Sequence, residues 1–196
     1  MSDRNRIGIF GGSFDPIHLG HLILAEVTRD TLELEKVYFM PTAHPPHKEG
    51  VKLTDFDKRK RMVELAIESN PFFEMSLYEE SDQAVFTYQT VLKFKEMGYT
   101  KGQLHLLIGS DSLNDMKHWK NPDVIFQNAT VVALKRPRFE AVPDLPDGAS
   151  VVWINRGSNS ISATEIRELV RQGRSIRYLV PQSVERFIVE HSLYRR

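Results

Sequence analysis

The stretch Gly11-Gly12-Ser13-Phe14-Asp15-Pro16-Ile17-His18-Leu19-Gly20-His21 constrains the fold more than any other part of this chain. It follows an apolar burst, Arg6–Phe10, that reads as a short buried strand, and it opens a helical composition running from His18 to about Thr31. Glycine lets a backbone approach a ligand closely, and a helix start presents unpaired N–H groups at the positive end of its dipole. A strand handed to a helix through two glycines is therefore a corner that binds phosphate. His18 and His21 are three residues apart, so both imidazoles project from one helix face toward that corner. Each can donate a hydrogen bond to a phosphoryl oxygen. The plainer reading is a tight turn with two satisfied surface histidines, which glycines, proline and paired histidines in this order outweigh. A metal site on His18 and His21 is a third reading, and no carboxylate is placed to complete it.

The rest of the chain repeats the alternation. Lys36–Met40, Phe73–Leu77, Leu104–Ile108, Thr130–Leu134 and Val151–Ile154 are further apolar bursts that read as strands. Met62, Leu65, Ala66 and Ser69 recur at helical spacing, and Thr87–Met97, Ser162–Gln172 and Pro181–Leu193 read as helices. Gly173 suits a helical stop and Pro181 a first helical position. Strands alternating with helices predict βαβ units, hence an α/β fold with a doubly wound, mostly parallel sheet. We expect one domain over residues 1–196, with a small helical C-terminal part from about residue 161. The Lys58–Arg61 run reads as the solvated face of a helix, with Asp55 and Asp57 placed to cap it. Lys135–Ser150, rich in proline, reads as a surface loop.

Charge and composition exclude several function classes. Lysine plus arginine and aspartate plus glutamate both number 26, which argues against holding long nucleic acid by bulk positive charge. The balance hides a basic C-terminal end, where Arg156, Arg167, Arg171, Arg174, Arg177, Arg186, Arg195 and Arg196 face few acids. With no cysteine, disulfides and thiolate chemistry are out. No apolar run approaches the roughly 18 residues of a membrane span, and Met1–Arg6 lacks the layout of a signal peptide. These features predict a cytoplasmic protein with small-molecule partners, neither nucleic acid nor membrane, and leave a homo-oligomer open.

Three further motifs sit at strand ends, where open α/β sheets bind ligands. His44-Pro45-Pro46-His47-Lys48 follows the second strand, and Lys48 is placed to reach a phosphate. Ile108-Gly109-Ser110-Asp111 follows the fourth, where Gly109 permits close approach and Asp111 suits ribose hydroxyls. Trp119 follows, either stacking a flat ring or joining the core. Ile161-Ser162-Ala163-Thr164-Glu165-Ile166-Arg167 opens the penultimate helix. Ser162 and Glu165 form a capping box there, while Ser162, Thr164 and Arg167 also set two hydroxyls and a guanidinium at a helix N-terminus.

Together these motifs resemble the HxGH-type nucleotidyltransferases, most closely the bacterial nicotinate mononucleotide adenylyltransferases. The likeness runs from Arg6 to Tyr194 and includes Arg59-x-x-Met62-x-x-Leu65-Ala66 in the helix after the second strand. The resemblance implies a Rossmann-like fold and transfer of AMP from ATP to nicotinate mononucleotide, with Mg²⁺ and no covalent enzyme intermediate. It implies catalytic roles for His18, His21, Lys48 and Arg167. ATP would be held by Gly11, Gly12, Ser13, Phe14, His18, His21, Gly109, Asp111, Arg136, Ser162, Thr164 and Arg167. The mononucleotide would be held by Ser13, Lys48, Thr87, Trp119 and Lys120, with main-chain N–H groups near Thr87 and Lys120 on the nicotinate carboxylate. Neutral backbone donors suit a carboxylate better than an amide, which favours nicotinate over nicotinamide. The chain departs from the family pattern at Arg138, where glycine is usual, and at Ala84-Val85-Phe86 before Thr87. A nicotinamide-preferring enzyme and a non-catalytic nucleotide sensor are the alternatives.

Overall fold

The computed structural model describes residues 5–45, 53–80, 83–134, 145–146, 149–157 and 159–195. Six strands form one sheet in the order β3-β2-β1-β4-β5-β6, and every pair is parallel. They are β1 (Ile7–Gly12), β2 (Lys36–Pro41), β3 (Phe73–Met75), β4 (Leu104–Gly109), β5 (Thr130–Leu134) and β6 (Val151–Ile154). The order reverses between β1 and β4, which opens a crevice beyond their carboxyl ends. All six expected strands form; β3 stops at Met75, two residues before the expected Leu77.

Strand periodicity sorts side chains onto two faces. Ile7 and Ile9 of β1, Leu104, Leu106 and Ile108 of β4, and Val131 and Ala133 of β5 enter one core layer. Phe10, Leu107, Val132 and Leu134 enter the other. The first layer is covered by α3 (Thr87–Glu96) and by α4 (Ser110–Asp115), with a 3₁₀ turn (Met116–His118) and α5 (Pro122–Asn128) after it. The second is covered by α1 (Leu19–Leu32) and α2 (Phe56–Ile67), and α6 (Ala163–Arg171) and α7 (Gln182–Glu190) join it through Ile166, Val184 and Ile188. Gly8 lies under this layer because an added Cβ would stand 3.0 Å from Leu107 Cδ1 and 3.2 Å from Leu34 Cδ1.

Local signals hold at several ends and fail at others. Gly173 takes φ +68° after α6, and the Arg174 amide reaches back to the Leu169 carbonyl at 2.8 Å. Pro181 occupies the N-cap of α7 rather than its first turn. Asp55 stands at the N-cap of α2, yet its side chain makes no capping bond. The Lys58–Arg61 run is not simply a solvated face. Arg59 is 1% exposed, because it shares the inward stripe of α2 with Met62 and Val63. Of Lys135–Ser150 only Leu145, Pro146, Ala149 and Ser150 are described, and Leu145 and Ala149 pack against the β4–β5 layer. Among the described residues no helix is long and apolar enough to cross a membrane.

Candidate active site

A cavity of about 610 Å³ opens at the carboxyl ends of β1 and β4, at the switch in strand order. Gly11, Gly12 and Ser13 form one wall where β1 ends. Phe14 follows with φ +43°, which turns its ring inward against Phe10 and His21 at centroid separations of 5.5 and 5.1 Å. His18 then sits at the N-cap of α1 with extended backbone. Its amide donates to His21 Nδ1 at 3.2 Å, and the two rings stack at 3.6 Å. An Nδ1 that accepts carries no proton, so neutral His21 presents its N–H at Nε2. Gly20 between them is a packing requirement: an added Cβ would lie 2.7 Å from Asn159 Oδ1 and 2.9 Å from His18 Nδ1.

The corner is braced from three directions. The Asp15 side chain is 2% exposed and accepts from the Tyr194 hydroxyl at 2.7 Å and the Thr54 amide at 3.2 Å. Its backbone carbonyl accepts from an Arg167 guanidinium N–H at 2.7 Å. Burial, and then the Asp15 charge, push the Tyr194 phenol far above its usual range, so it remains a donor. Arg59 donates to the carbonyls of Thr54 (2.8 Å), Ser13 (2.7 Å), Thr42 (2.9 Å) and Ala43 (3.3 Å). One guanidinium thus joins the loops after β1 and β2 to the approach to α2. Burial lowers its pKa, and the nearby Asp15 charge works the other way.

Across the cavity, Thr87 and Thr90 come from the first turn of α3, with Gly109 at the end of β4 and Trp119 after the 3₁₀ turn. Glu79 lies between α3 and Gly11 and is 6% exposed. Its carboxylate accepts from Thr42 Oγ1 at 2.6 Å and Thr90 Oγ1 at 2.9 Å. Burial raises its pKa, partly offset by those two donors. Ser162 closes the near side, where its hydroxyl accepts from the Glu165 amide at 3.2 Å as the N-cap of α6.

Residues 9–169 match the family model described as cytidylyltransferase-like. A relative from Thermoanaerobacter sp. (strain X514), named "Probable nicotinate-nucleotide adenylyltransferase", is 39% identical over 100% of this chain and 97% of its own. A relative of the same name from Geotalea daltonii is 40% identical over 96% of this chain and 98% of its own. The chain belongs to the nicotinate-nucleotide adenylyltransferases of the cytidylyltransferase-like family. The fold agrees: Plasmodium falciparum nicotinic acid mononucleotide adenylyltransferase complexed with NaAD superimposes with a TM-score of 0.79 at 20% identity, covering 97% of this chain and 98% of that one.

This adenylyltransferase chain therefore brings Gly11, Gly12, Ser13, Phe14, His18, His21, Thr87, Gly109, Trp119 and Ser162 onto one cavity. Arg167 stands beside it, held on the Asp15 carbonyl and 3.4 Å from Thr164 Oγ1. Thr164 is exposed and lies off the wall, as does Lys120, whose ammonium sits 4.4 Å over the Phe86 ring. Lys48, Arg136 and the Asp111 side chain lie outside the described residues. Sequence reasoning quoted Asp15 and Arg59 in its motifs without giving them a place in the site, and missed Glu79, Asn159 and Tyr194. Arg59 carried a signal, since it falls three and four residues before Met62 and Val63 on an apolar stripe. Tyr194 carried none.

Among the described residues no group of three or more histidines and carboxylates could hold a metal ion. Both buried carboxylates at the cavity, Asp15 and Glu79, are already engaged by protein donors. Such a donor set fits Mg²⁺ only as an ion that arrives on substrate phosphates and keeps most of its waters.

Proposed function

We propose that this nucleotidyltransferase moves AMP from ATP to nicotinate mononucleotide, giving nicotinate adenine dinucleotide and pyrophosphate, in the cytoplasm and in the service of NAD synthesis. The observation that carries the reading is the corner itself: two glycines at the end of β1 running into the stacked His18–His21 pair at the start of α1. Relatives of the same name, 37–40% identical over at least 96% of this chain, support the reaction.

A phosphate oxygen of the mononucleotide attacks the α-phosphorus of ATP. The bond to the bridging oxygen breaks, and its electrons leave with pyrophosphate. The attacking group is already an anion at neutral pH, so no side-chain nucleophile or base is needed. Catalysis reduces to aligning two repelling phosphates and stabilising charge as it moves to the leaving group. Backbone N–H groups at Gly12 and Ser13, at the approach to α1, would meet the phosphates. His21 would donate from Nε2, and His18 beside it would hold the same group. Arg167 spends one N–H on Asp15 and keeps further donors of its planar fork for the outer phosphates, with Ser162 and Thr164. Lys48 and Arg136 would add charge at the acceptor phosphate and the adenine. Mg²⁺ carried in on ATP would neutralise phosphate charge.

On the acceptor side, Trp119 would stack the pyridine ring, and main-chain N–H groups near Thr87 and Lys120 would take its carboxylate. Gly109 and Asp111 would meet the adenosine ribose. The reading is tested by pyrophosphate release with ATP and Mg²⁺, comparing nicotinate and nicotinamide mononucleotides at equal concentration. A strong preference for nicotinate is expected. Comparable rates would overturn the ring-pocket assignment, and no release with either would overturn the reaction.

A further inference from the structure

Glu79 is the buried carboxyl group that the reaction above does not use. It reaches the cavity from the segment between β3 and α3, and its two oxygens stand 3.6 and 3.8 Å from where a Cβ on Gly11 would be. Thr42 and Thr90 donate one hydrogen bond to each oxygen, which fixes the carboxylate in position. An ionised carboxylate has about four acceptor sites, so two are filled and capacity remains. Among the described residues no lysine or arginine pairs with it, and no charged group figures among the causes of its raised pKa.

A carboxyl group with spare acceptor capacity on the wall of a cavity for two polyanions selects strongly among ligand groups. Phosphates and the nicotinate carboxylate are themselves acceptors at neutral pH and are repelled. The donors carried by the two substrates are ribose hydroxyls and the adenine amino group. Glu79 lines the cavity on the Thr90 hydroxyl, one helical turn after Thr87, beside which the pyridine carboxylate of the acceptor is placed above. We infer that Glu79 binds the acceptor nucleotide by taking a hydrogen bond from its ribose diol, and so orients that nucleotide with its phosphate toward His18 and His21. The inference rests on the mononucleotide acceptor proposed above. Thr42 and Thr90 act here as positioning residues, because they set the carboxylate before the ligand arrives.

The test is substrate editing crossed with mutation. Wild-type protein is assayed on nicotinate mononucleotide and on its 2′-deoxy and 3′-deoxy forms, and the same series is run on Glu79→Ala and Glu79→Gln. Hydrogen bonds to a charged acceptor correspond to roughly 10- to 100-fold. One deoxy form should therefore lose about that factor in kcat/KM with wild type. In Glu79→Ala the parent falls to the level of the deoxy form and the ratio goes to about one. Glu79→Gln keeps the shape and one acceptor oxygen, and its deoxy ratio should shrink several-fold; it carries the test if the alanine variant does not fold. A brace without ligand contact would lower the melting temperature and leave the deoxy ratio of wild type intact in both variants, which would overturn the inference. Equal rates on parent and deoxy forms with wild type would also overturn it. Failure of wild type to turn over either pyridine mononucleotide would sink the reaction instead.

Discussion

Replacing Arg59 by methionine keeps the buried stem and removes a guanidinium that serves four carbonyl oxygens at 2.7–3.3 Å. Each orphaned buried carbonyl costs about 1–3 kcal/mol, so four left dry would cost up to about 12 kcal/mol, comparable with the whole stability of a domain. That ceiling is not reached. Only the bond to Thr42 is fully buried, and those to Ser13, Ala43 and Thr54 lie where water can replace the lost donor. Asp15 also loses a nearby cation. The net cost should resemble breaking a buried ion pair, about 3–5 kcal/mol. At roughly 2–4 °C per kcal/mol for a chain of this size, the melting temperature should fall by about 6–20 °C. Arg59→Lys keeps the charge but offers a point donor in place of a fork, and should fall in between. Ser13 and Thr42 also line the cavity, so kcat/KM should drop well below the melting range. Thermal melts by circular dichroism check the first claim and initial rates the second. A methionine variant melting within about 3 °C of wild type would refute the reasoning, because the guanidinium would then not be what ties these loops together.

Tyr194→Phe removes the 2.7 Å bond to Asp15 and should cost about 2 kcal/mol, read as a melting temperature about 4–8 °C lower. Because the Asp15 carbonyl holds Arg167, KM for ATP should rise as well; an unchanged KM would disconnect the tail from the site. His18→Ala should lower kcat by about 10²–10³ with a smaller change in KM, as expected for a donor that strengthens in the transition state. An unchanged kcat would remove His18 from the mechanism. His105 lies buried in β4, and burial lowers its pKa below 6.5, so the folded protein favours the neutral ring. Its contribution is present above pH 6.5 and is lost as pH falls from there through the folded value. Between pH 7.5 and 5.5, the urea midpoint of wild type should therefore fall further than that of His105→Leu, and parallel curves would contradict the assignment.

What was legible in the chain was whatever is written locally. The six strands are continuous apolar bursts because a parallel sheet is buried on both faces, and the phosphate corner shows because glycines and histidines must be near neighbours to make it. The chain after the fourth strand reads as a loop or a helix and forms the helix Ser110–Asp115, while the helix at Pro122–Asn128 is not read at all. Each is short, and although Pro122 and Asp123 suit a first turn, α5 spans only Pro122–Asn128 and starts from Asn121 at φ +51° without a side-chain capping bond. The long-range ties were not legible at all. Asp15 and Tyr194 are 179 residues apart, and nothing at either position signals the other. Gly20 reads as a weak helix residue, and the fold shows why a methyl group has no room there, with Asn159 Oδ1 and His18 Nδ1 both packed against it.

The two carboxylates explain how an anion site tolerates negative charge. Asp15 is held where it stands: Tyr194 and Thr54 donate to its oxygens, Arg59 lies close enough to feel its charge, and Arg167 binds its carbonyl. Its function is inward, holding the corner that holds phosphate. Glu79 receives two neutral hydroxyls and no cation among the described residues, so its charge is left facing the cavity. Stability alone would favour a neutral side chain there, since burial already pushes the Glu79 pKa upward. A glutamine of the same shape would accept from one threonine and relieve that cost, the more so as pH rises above the ordinary glutamate value of 4.5. An ionisable residue at such a place is therefore best explained by what the ligand brings to it, and the neutral donors that nicotinate mononucleotide brings are the hydroxyls of its ribose.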